Sequence, residues 1–294
     1  MSTPLCPVSI LIPTKNERAN IRDCLESCRF ADEVVLVDSG STDGTREIAA
    51  EFGATVVDFR WDQKFPKKKN WALANVAWRH EWIFILDADE RITPALAAEL
   101  RDLMAGGGPV AAGYYVNRRF WFIDGWLLHC GYYPSWNLRF FRHAAGRYEK
   151  LQDLGDTRSG DNEVHEHVVL DGPVERLRAE MNHYAFPTIE VWVEKHNRYS
   201  NWEARLLVAR ESGGCASARI SLPSLARKRR LKLLAARLPF RPLLRFVYHY
   251  FIRAGFLDGY RGYVFCRLMA FYEFLGAAKA RELRRSAPRQ PFRP

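Results

Sequence analysis

The stretch Glu81-Trp-Ile-Phe-Ile-Leu-Asp-Ala-Asp-Glu-Arg-Ile-Thr93 decides the fold. Residues 82–87 begin with a continuous apolar run rich in β-branched and aromatic side chains, which is typical of a strand buried on both faces of a parallel sheet. The run ends in three carboxylates within four residues, Asp87, Asp89 and Glu90. Because ligands bind at the carboxyl edge of open α/β sheets, we expect the functional site at this edge.

Asp87 and Asp89 are two residues apart, so in an extended chain their side chains point the same way. Two converging carboxylates suit a hard divalent cation such as Mg²⁺ or Mn²⁺. The alternative is an acidic loop followed by a helix start, with Thr93 as N-cap and Pro94 at the first helical position. A D-x-D pattern alone is not specific, but its position after a buried strand favours the metal hypothesis.

Three further strands are predicted before this stretch, over residues 8–13, 33–38 and 55–59. A helix beginning near Asn16 or Glu17 separates the first two, and a turn over residues 39–44 starts the next helix, which ends at Gly53. The candidate caps of this second helix are Ser41, Thr42 and Asp43. This βαβαβ rhythm predicts the α/β class, with a mostly parallel sheet and right-handed crossovers.

The composition indicates a folded protein, since 48% of the 294 residues are hydrophobic. The first predicted strand follows Met1 closely, which argues against a signal peptide. The six cysteines show no C-x-x-C pair and no zinc spacing, and Cys24 and Cys28 share the apolar face of the first helix. We therefore expect reduced, buried thiols in a cytoplasmic protein, and no apolar run is long enough to span a membrane.

Charge divides the chain unevenly. Residues 222–294 contain 17 lysines and arginines against three acidic residues, a net charge of +14. Residues 1–221 contain 27 basic and 31 acidic residues, a net charge of −4. This asymmetry predicts an α/β domain over residues 1–221 and a basic helical extension over residues 222–294, whose partner is anionic.

The extension mixes cations with bulky apolar residues. The cluster 227–230 and Lys232 lies among leucines, and aromatic residues alternate with arginines after Pro239. Such a pattern fits an interfacial helix on the anionic inner face of the cytoplasmic membrane. The alternative is a helix packed on the domain with a solvated basic face.

Several motifs together resemble those of a known family. They are Pro13-Thr-Lys-Asn-Glu17, Val37-Asp-Ser-Gly-Ser-Thr-Asp43, Lys69-Asn-Trp-Ala-Leu73, Leu86-Asp-Ala-Asp-Glu90, Tyr132-Tyr-Pro134, Leu138-Arg139, Glu166-His167 and Lys195-His-Asn-Arg-Tyr199. Over residues 8–282 the chain resembles the inverting glycosyltransferases of family 2, which have the GT-A fold, and among them bacterial enzymes of lipopolysaccharide-core and exopolysaccharide assembly. One departure is Lys68, where many relatives carry Gln.

The resemblance implies a UDP-sugar donor, a glycan or lipid-linked acceptor, and a divalent metal, Mg²⁺ or Mn²⁺. It also implies roles for individual residues. The nucleotide-sugar is held by Pro13, Thr14, Glu17, Asp38, Ser39, Lys69, Asn70, Asp87 and Arg139, and the metal by Asp87, Asp89 and His183. The alternatives are a capping role for Asp38, a solvated lysine run at 67–69, contact with an acidic acceptor for Arg139, and a phosphate-donor or structural role for His183.

The same resemblance assigns the general base to Glu166. Within a predicted strand over residues 162–170, Glu166 faces away from His165 and His167. The spacing H-E-x-H is not the helical H-E-x-x-H of zinc proteases. A polar strand face at a sheet edge is the alternative.

Two segments flank these candidates. Nine aromatic residues between Tyr114 and Trp136 suit sugar stacking as well as an ordinary core. Residues 187–213 are predicted to form a long helix with Ile189, Trp192, Val193 and His196 on one face.

Two other functions remain open from the sequence. A nucleotidyltransferase also uses D-x-D and a metal but consumes a nucleoside triphosphate. A nucleic-acid-binding protein would use the basic extension, although that extension lacks any zinc, helix-turn-helix or RNP signature, so we expect no nucleic-acid partner.

Overall fold

The computed structural model describes residues 4–62, 65–149, 167–211 and 240–286. Internal contacts divide the chain into two compact units. The described part of the first unit is residues 4–62, 65–126, 132–149 and 167–185, and that of the second is residues 127–131, 186–211 and 240–286. The predicted boundary at residue 221 lies outside the described residues.

The first unit alternates strands and helices along its first half and is mainly β in its second half. Its elements are β1 (Cys6–Thr14), α1 (Arg18–Ser27), β2 (Ala31–Asp38), α2 (Thr45–Glu51), β3 (Thr55–Asp58), α3 (Lys68–Asn75), β4 (Trp82–Ile85), β5 (Glu90–Ile92), α4 (Pro94–Ala105), β6 (Gly113–Phe122), β7 (Gly125–Trp126), β8 (Trp136–Arg142), β9 (Arg147–Tyr148), β10 (Val168–Val169) and β11 (Val174–Phe186).

The main sheet has the order β3-β2-β1-β4-β8-β6-β11-β5, with β7 paired to β6. Strands β3, β2, β1 and β4 are mutually parallel, which confirms the predicted βαβαβ start and the α/β class. Strand β8 pairs antiparallel with β4 and β6, and β11 pairs antiparallel with β5. The sequence patterns gave no indication of this antiparallel half.

The parallel strands are buried on both faces, as their apolar runs predict. On β1, Ile10 and Ile12 pack in one core cluster and Leu11 in the other. On β4, Phe84 belongs to the first cluster and Ile85 to the second. Alternate residues of one strand therefore stabilise two layers of helices, which keeps the strand ends in a fixed position.

The chain turns directly after β4, so residues 87–89 are not extended, which was the condition for Asp87 and Asp89 to point the same way. The amide of Glu90 donates to the carbonyl of Asp87, which closes a turn at Ala88 and Asp89. The short strand β5 follows, and Thr93 caps α4 by accepting from the amide of Leu96, with Pro94 at the first position. The helix start that was weighed as the alternative is therefore present beside the acidic turn.

Two further local predictions have clear outcomes. Helix α2 has Gly44 as its N-cap rather than the predicted Ser41, Thr42 or Asp43, although Asp43 accepts from the amide of Thr45. The five cysteines in the described part of the chain are free and buried, Cys24 and Cys28 among them, as the apolar face of α1 predicts. No helix within the described ranges is both long and apolar enough to cross a membrane.

The second unit is helical in its described part. It contains α5 (Ile189–Glu211), α6 (Arg241–Val247), a π-helical turn (Tyr248–Ile252), a 3-10 turn (Gly255–Asp258) and α7 (Gly259–Ser286). Helix α5 confirms the long helix predicted over residues 187–213. Trp192 and His196 are buried, but Ile189 and Val193 are exposed, so only half of the predicted apolar face is covered.

Helix α7 packs along α5. Lys279 donates to Asn197, Ser200 and Asn201 of α5, and the ring of His196 meets Tyr272 edge-on at 5.0 Å. This packing agrees with the alternative of a packed helix for residues 259–286 of the extension.

His196 should make the stability of this unit depend on pH. Burial, with smaller effects of Arg245 and Lys195, lowers its pKa from 6.5 to about 4, and its ring stacks on Trp192 at 3.7 Å. The unfolded chain binds a proton below pH 6.5 that the folded chain does not, so the stability is complete above pH 6.5 and is lost as the pH falls towards 4. We expect a loss of about 2 kcal/mol between pH 7 and pH 4.5, measured by denaturant unfolding.

The variant His196→Phe keeps an aromatic ring on Trp192 and removes the titrating group. Its stability should change less than that of the parent over the same pH range. An equal pH dependence in both proteins would contradict a buried neutral His196.

Candidate functional site

The carboxyl ends of β1 and β2 are joined through Asp38. Its side chain is fully buried and accepts from the hydroxyl of Thr14 at 3.0 Å and from the amide of Ser41 at 2.7 Å. The hydroxyl of Ser41 also donates to it. Asp38 therefore fixes the loop after β2. It does not cap α2, whose N-cap is Gly44, so the capping role weighed as the alternative is wrong, and the contact of Asp38 with a nucleoside stays a prediction.

The other predicted nucleoside residues lie around the same two strand ends. Pro13 is buried near the end of β1, and the amide of Ser39 donates to the carbonyl of Thr14. Glu17 is the N-cap residue of α1 and its amide donates to the hydroxyl of Thr45. The structure thus brings five of the nine residues predicted to hold the nucleotide-sugar, Pro13, Thr14, Glu17, Asp38 and Ser39, to one edge of the parallel sheet.

Lys68 and Lys69 form the buried first turn of α3, so the alternative of a solvated lysine run is wrong for both. The ammonium group of Lys68 donates to the carbonyl of Thr14 at 2.6 Å, at the end of β1. Lys68 therefore holds the start of α3 and the end of β1 together.

Asp87 lies between two buried cations. Its Oδ1 is 2.8 Å from Nζ of Lys69 and its Oδ2 is 2.7 Å from Nη2 of Arg139. Nη2 of Arg139 also lies 2.6 Å from Glu90, which in turn is 3.1 Å from Arg118. Three cations thus share two carboxylates, and Glu90 closes the network by accepting from the amide of Asp87 at 2.9 Å.

The pKa shifts of this network follow from its geometry. Burial raises the pKa of Asp87, but Arg139 and Lys69 outweigh burial and hold that pKa well below its usual range. Burial lowers the pKa of Lys69, and the charge of Asp87 more than reverses that shift. All three groups are therefore charged at neutral pH.

Asn70 has a structural contact. Its side chain exchanges two hydrogen bonds with the backbone of Tyr148, at 3.0 and 2.9 Å, and the ring of Tyr148 lies 5.4 Å from Nζ of Lys69. Asn70 thereby links α3 to β9, and its predicted contact with the nucleotide-sugar stays a prediction.

Asp89 and His183 meet across the paired strands β5 and β11. Nε2 of His183 lies 3.6 Å from Oδ1 of Asp89, and Phe120 packs edge-on to the imidazole ring. Nδ1 of His183 is buried and has no hydrogen-bond partner among the described residues. Nε2 is therefore the ring nitrogen that faces the carboxylate.

This pair fits a divalent cation that is shared with a substrate. Carboxylate oxygen suits Mg²⁺ and Mn²⁺, and imidazole nitrogen is a common ligand of divalent transition metals. Within the described ranges, no three His, Cys, Asp or Glu side chains come together as a metal site. Further ligands would have to come from substrate phosphates, which Mg²⁺ commonly uses.

Glu166 lies outside the described residues, as do His165 and most of the strand predicted over residues 162–170. The described end of that segment is β10, which pairs antiparallel with β9. His167 is exposed, and its amide donates to Glu149 at 3.2 Å.

Two site residues escaped the sequence analysis, Glu90 as a network member and Arg118. The available signal for Arg118 was a pair of arginines inside an otherwise apolar strand, because charged residues in a strand core need partners.

The aromatic-rich segment 114–136 contains both core and partly exposed side chains. Tyr114, Phe120 and Phe122 are core, whereas Trp121, Trp126 and Tyr133 remain partly exposed.

The comparisons with known proteins identify the family of this chain. The family model "Glycosyl transferase family 2" matches residues 9–169. The chain belongs to glycosyltransferase family 2. It therefore moves a sugar from a nucleotide-sugar donor to an acceptor, and its sheet is the GT-A arrangement that the resemblance implied. Family membership favours this function over the nucleotidyltransferase and nucleic-acid-binding alternatives.

Two curated relatives span nearly the whole chain. The "Lipopolysaccharide core biosynthesis glycosyltransferase LpsC" of Rhizobium meliloti is 31% identical over 290 residues, covering 94% of this chain and 92% of its own length. An uncharacterized glycosyltransferase of Rickettsia felis is 28% identical, covering 94% and 89%.

A solved structure also matches in part. It is the glucosyl-3-phosphoglycerate synthase of Mycobacterium tuberculosis in complex with Mn²⁺ and UDP-glucose, at 25% identity and a TM-score of 0.30, covering 39% of this chain and 43% of that one. A TM-score of this size does not establish a shared site.

Removing the charge of Asp87 should destabilise the first unit. In Asp87→Asn, Lys69 and Arg139 stay buried with one carboxylate fewer, which costs about 3 kcal/mol in comparable buried pairs. We expect that loss at pH 7, well above the depressed pKa of Asp87, by denaturant unfolding. The matched control is Asp58→Asn, whose partner Arg46 lies at the surface.

The control should cost less than about 1 kcal/mol. Equal losses in the two variants would show that Asp87 does not hold the buried cations.

Proposed function

We propose that this glycosyltransferase transfers a sugar, with inversion, from a UDP-sugar to a lipid-linked glycan of the lipopolysaccharide core. The proposal places the enzyme on the inner face of the cytoplasmic membrane. The name of the Rhizobium meliloti relative supports the acceptor, and the family resemblance supports the donor and the inversion.

One observation carries the donor side of the proposal, the convergence of Lys69, Arg139 and Arg118 on two carboxylates at the carboxyl end of β4. The excess of positive charge suits the diphosphate of a nucleotide-sugar. The buried ion pairs hold the cations in place before substrate binds, so little reorganisation is needed when the negative charge of the leaving diphosphate develops.

Asp38 and Thr14 would receive the nucleoside at the ends of β1 and β2, beside Lys68 and Lys69. The ion pairs described above already balance Asp87, so we assign the divalent cation chiefly to Asp89 and His183. Such an ion, when bound, neutralises charge on the departing diphosphate.

Inversion needs a base on the face of the sugar opposite the leaving group, within hydrogen-bond reach of the acceptor hydroxyl. We propose Glu166 for this role, on the family resemblance at Glu166-His167. The partly exposed rings of Trp121 and Tyr184, whose centroids are 5.3 Å apart, suit stacking against the acceptor glycan.

The metal assignment predicts the behaviour of Asp89→Asn. This change removes one formal charge at nearly constant size, so the protein should fold while kcat/KM falls on the order of 10²-fold or more. The measurement is release of UDP from a panel of UDP-sugars with Mn²⁺ present, and the control is Asp58→Asn. Full activity of the variant, or of the parent in excess chelator, would contradict the assignment of the divalent cation to Asp89.

The base assignment predicts a different pattern for Glu166→Gln. Affinity for the donor should be retained, while kcat falls on the order of 10²-fold or more. The exposed Glu175 provides the matched control, Glu175→Gln. Loss of donor binding with kcat intact would make Glu166 a binding residue and leave Asp161 or Glu163 as the candidate base.

A further inference from the structure

Exposed apolar side chains are concentrated in one part of the second unit. Of the 23 large apolar residues that are exposed among the described ones, eleven lie between residues 240 and 263. The exposed fractions reach 81% at Tyr260, 78% at Phe240 and 70% at Ile252. We call this set the hairpin surface: Phe240, Leu243, Leu244, Val247, Tyr248, Phe251, Ile252, Phe256, Leu257, Tyr260 and Tyr263.

Helix α6, the π-helical turn, the 3-10 turn and α7 form an antiparallel helical hairpin, which we call the hairpin. Arg241 and Arg245 near the start of α6 bind Glu273, in the second half of α7. Further along, Phe246 meets Tyr263 edge-on at 6.1 Å, near the start of α7. The π-helical and 3-10 turns reverse the chain, and residues 251–260 form the tip.

The tip is tightly built. A Cβ atom at Gly262 would lie 2.0 Å from the carbonyl oxygen of Gly255, and one at Gly255 would lie 2.8 Å from that of His249. Because the backbone segments touch at these glycines, the turn has little room to fold its apolar side chains inward. Ile252, Phe256 and Leu257 therefore stay exposed on a packed frame.

The acidic side chains of the hairpin between residues 240 and 274 are buried, whereas some of the basic residues there are exposed. Asp258 is 6% exposed and accepts from the amides of Leu128 and His129, and Glu273 is 9% exposed between its two arginines. Arg253 and Arg267 are exposed. Between residues 240 and 274 the outward-facing charged side chains of the hairpin are therefore cations.

We infer that the hairpin surface enters the headgroup region of an anionic lipid bilayer, with Ile252 and Leu257 of the tip as anchors. Exposed apolar area combined with cations, and no outward acid, matches the chemistry of an anionic membrane interface. The inference rests on the proposed function for its purpose, since a lipid-linked acceptor is met at the same surface. It assigns the attachment to the tip rather than to the cluster at 227–232.

The test is sedimentation of the full chain with vesicles of phosphatidylcholine containing 30% phosphatidylglycerol, and with vesicles of phosphatidylcholine alone. The parent should bind the anionic vesicles. The double variant Ile252→Ser, Leu257→Ser should bind them about tenfold more weakly or worse, because two anchoring side chains are lost. The matched control is Leu5→Ser, Val110→Ser, which alters two exposed apolar residues of the first unit and should bind like the parent.

Unchanged binding of the tip variant, or no binding of the parent at low salt, overturns the inference. A parent dimer that the tip variant converts to a monomer, without vesicle binding, would instead make the hairpin surface a self-interface. UDP release in the absence of vesicles reports separately on the proposed function, and it should be equal in the parent and the tip variant. A parent without transferase activity that still binds through its tip would overturn the proposed function alone.

Discussion

The first unit is organised around one carboxylate held between two buried cations. Asp87 follows β4, Lys69 comes from α3 and Arg139 from β8, so the ion pairs join three elements at one sheet edge. Buried charges are tolerated only when they are paired, and here each charge needs the other two elements in place. The same requirement fixes Lys69 and Arg139 at the sheet edge where we propose that the donor diphosphate binds.

Much of the parallel half could be predicted from the sequence, because its signals are local. Apolar runs such as residues 82–86 and the turn after Asp38 are visible within a few residues. The antiparallel half could not be predicted, since the buried Arg139 and the half-buried Arg118 pair with carboxylates tens of residues away. For the same reason the run at 67–69 was indistinguishable from a solvated one, and the turn that separates Asp87 from Asp89 depends on Glu90.

The basic extension shows a similar limit of composition. Net charge predicts an anionic partner, but charge alone does not reveal which side chains face outward. Helix α7 packs on α5 through Lys279. Where α7 forms the hairpin with α6, the acidic side chains Asp258 and Glu273 are buried, and many of the aromatic side chains are exposed. Which parts of the extension are packed and which are exposed depends on the partners of Asp258 and Glu273. The spacing of residues in the sequence does not predict those partners.

The pairing of β5 with β11 has a consequence for the order of events on the ribosome. Ile92 finds its sheet neighbour at Met181, and Glu90 finds its neighbour at His183. At roughly 5–20 residues per second, the segment between them takes on the order of 5–20 s to synthesise. Residues 90–92 therefore emerge long before residues 181–183 do, and the nascent chain carries β5 as an unpaired strand until β11 arrives.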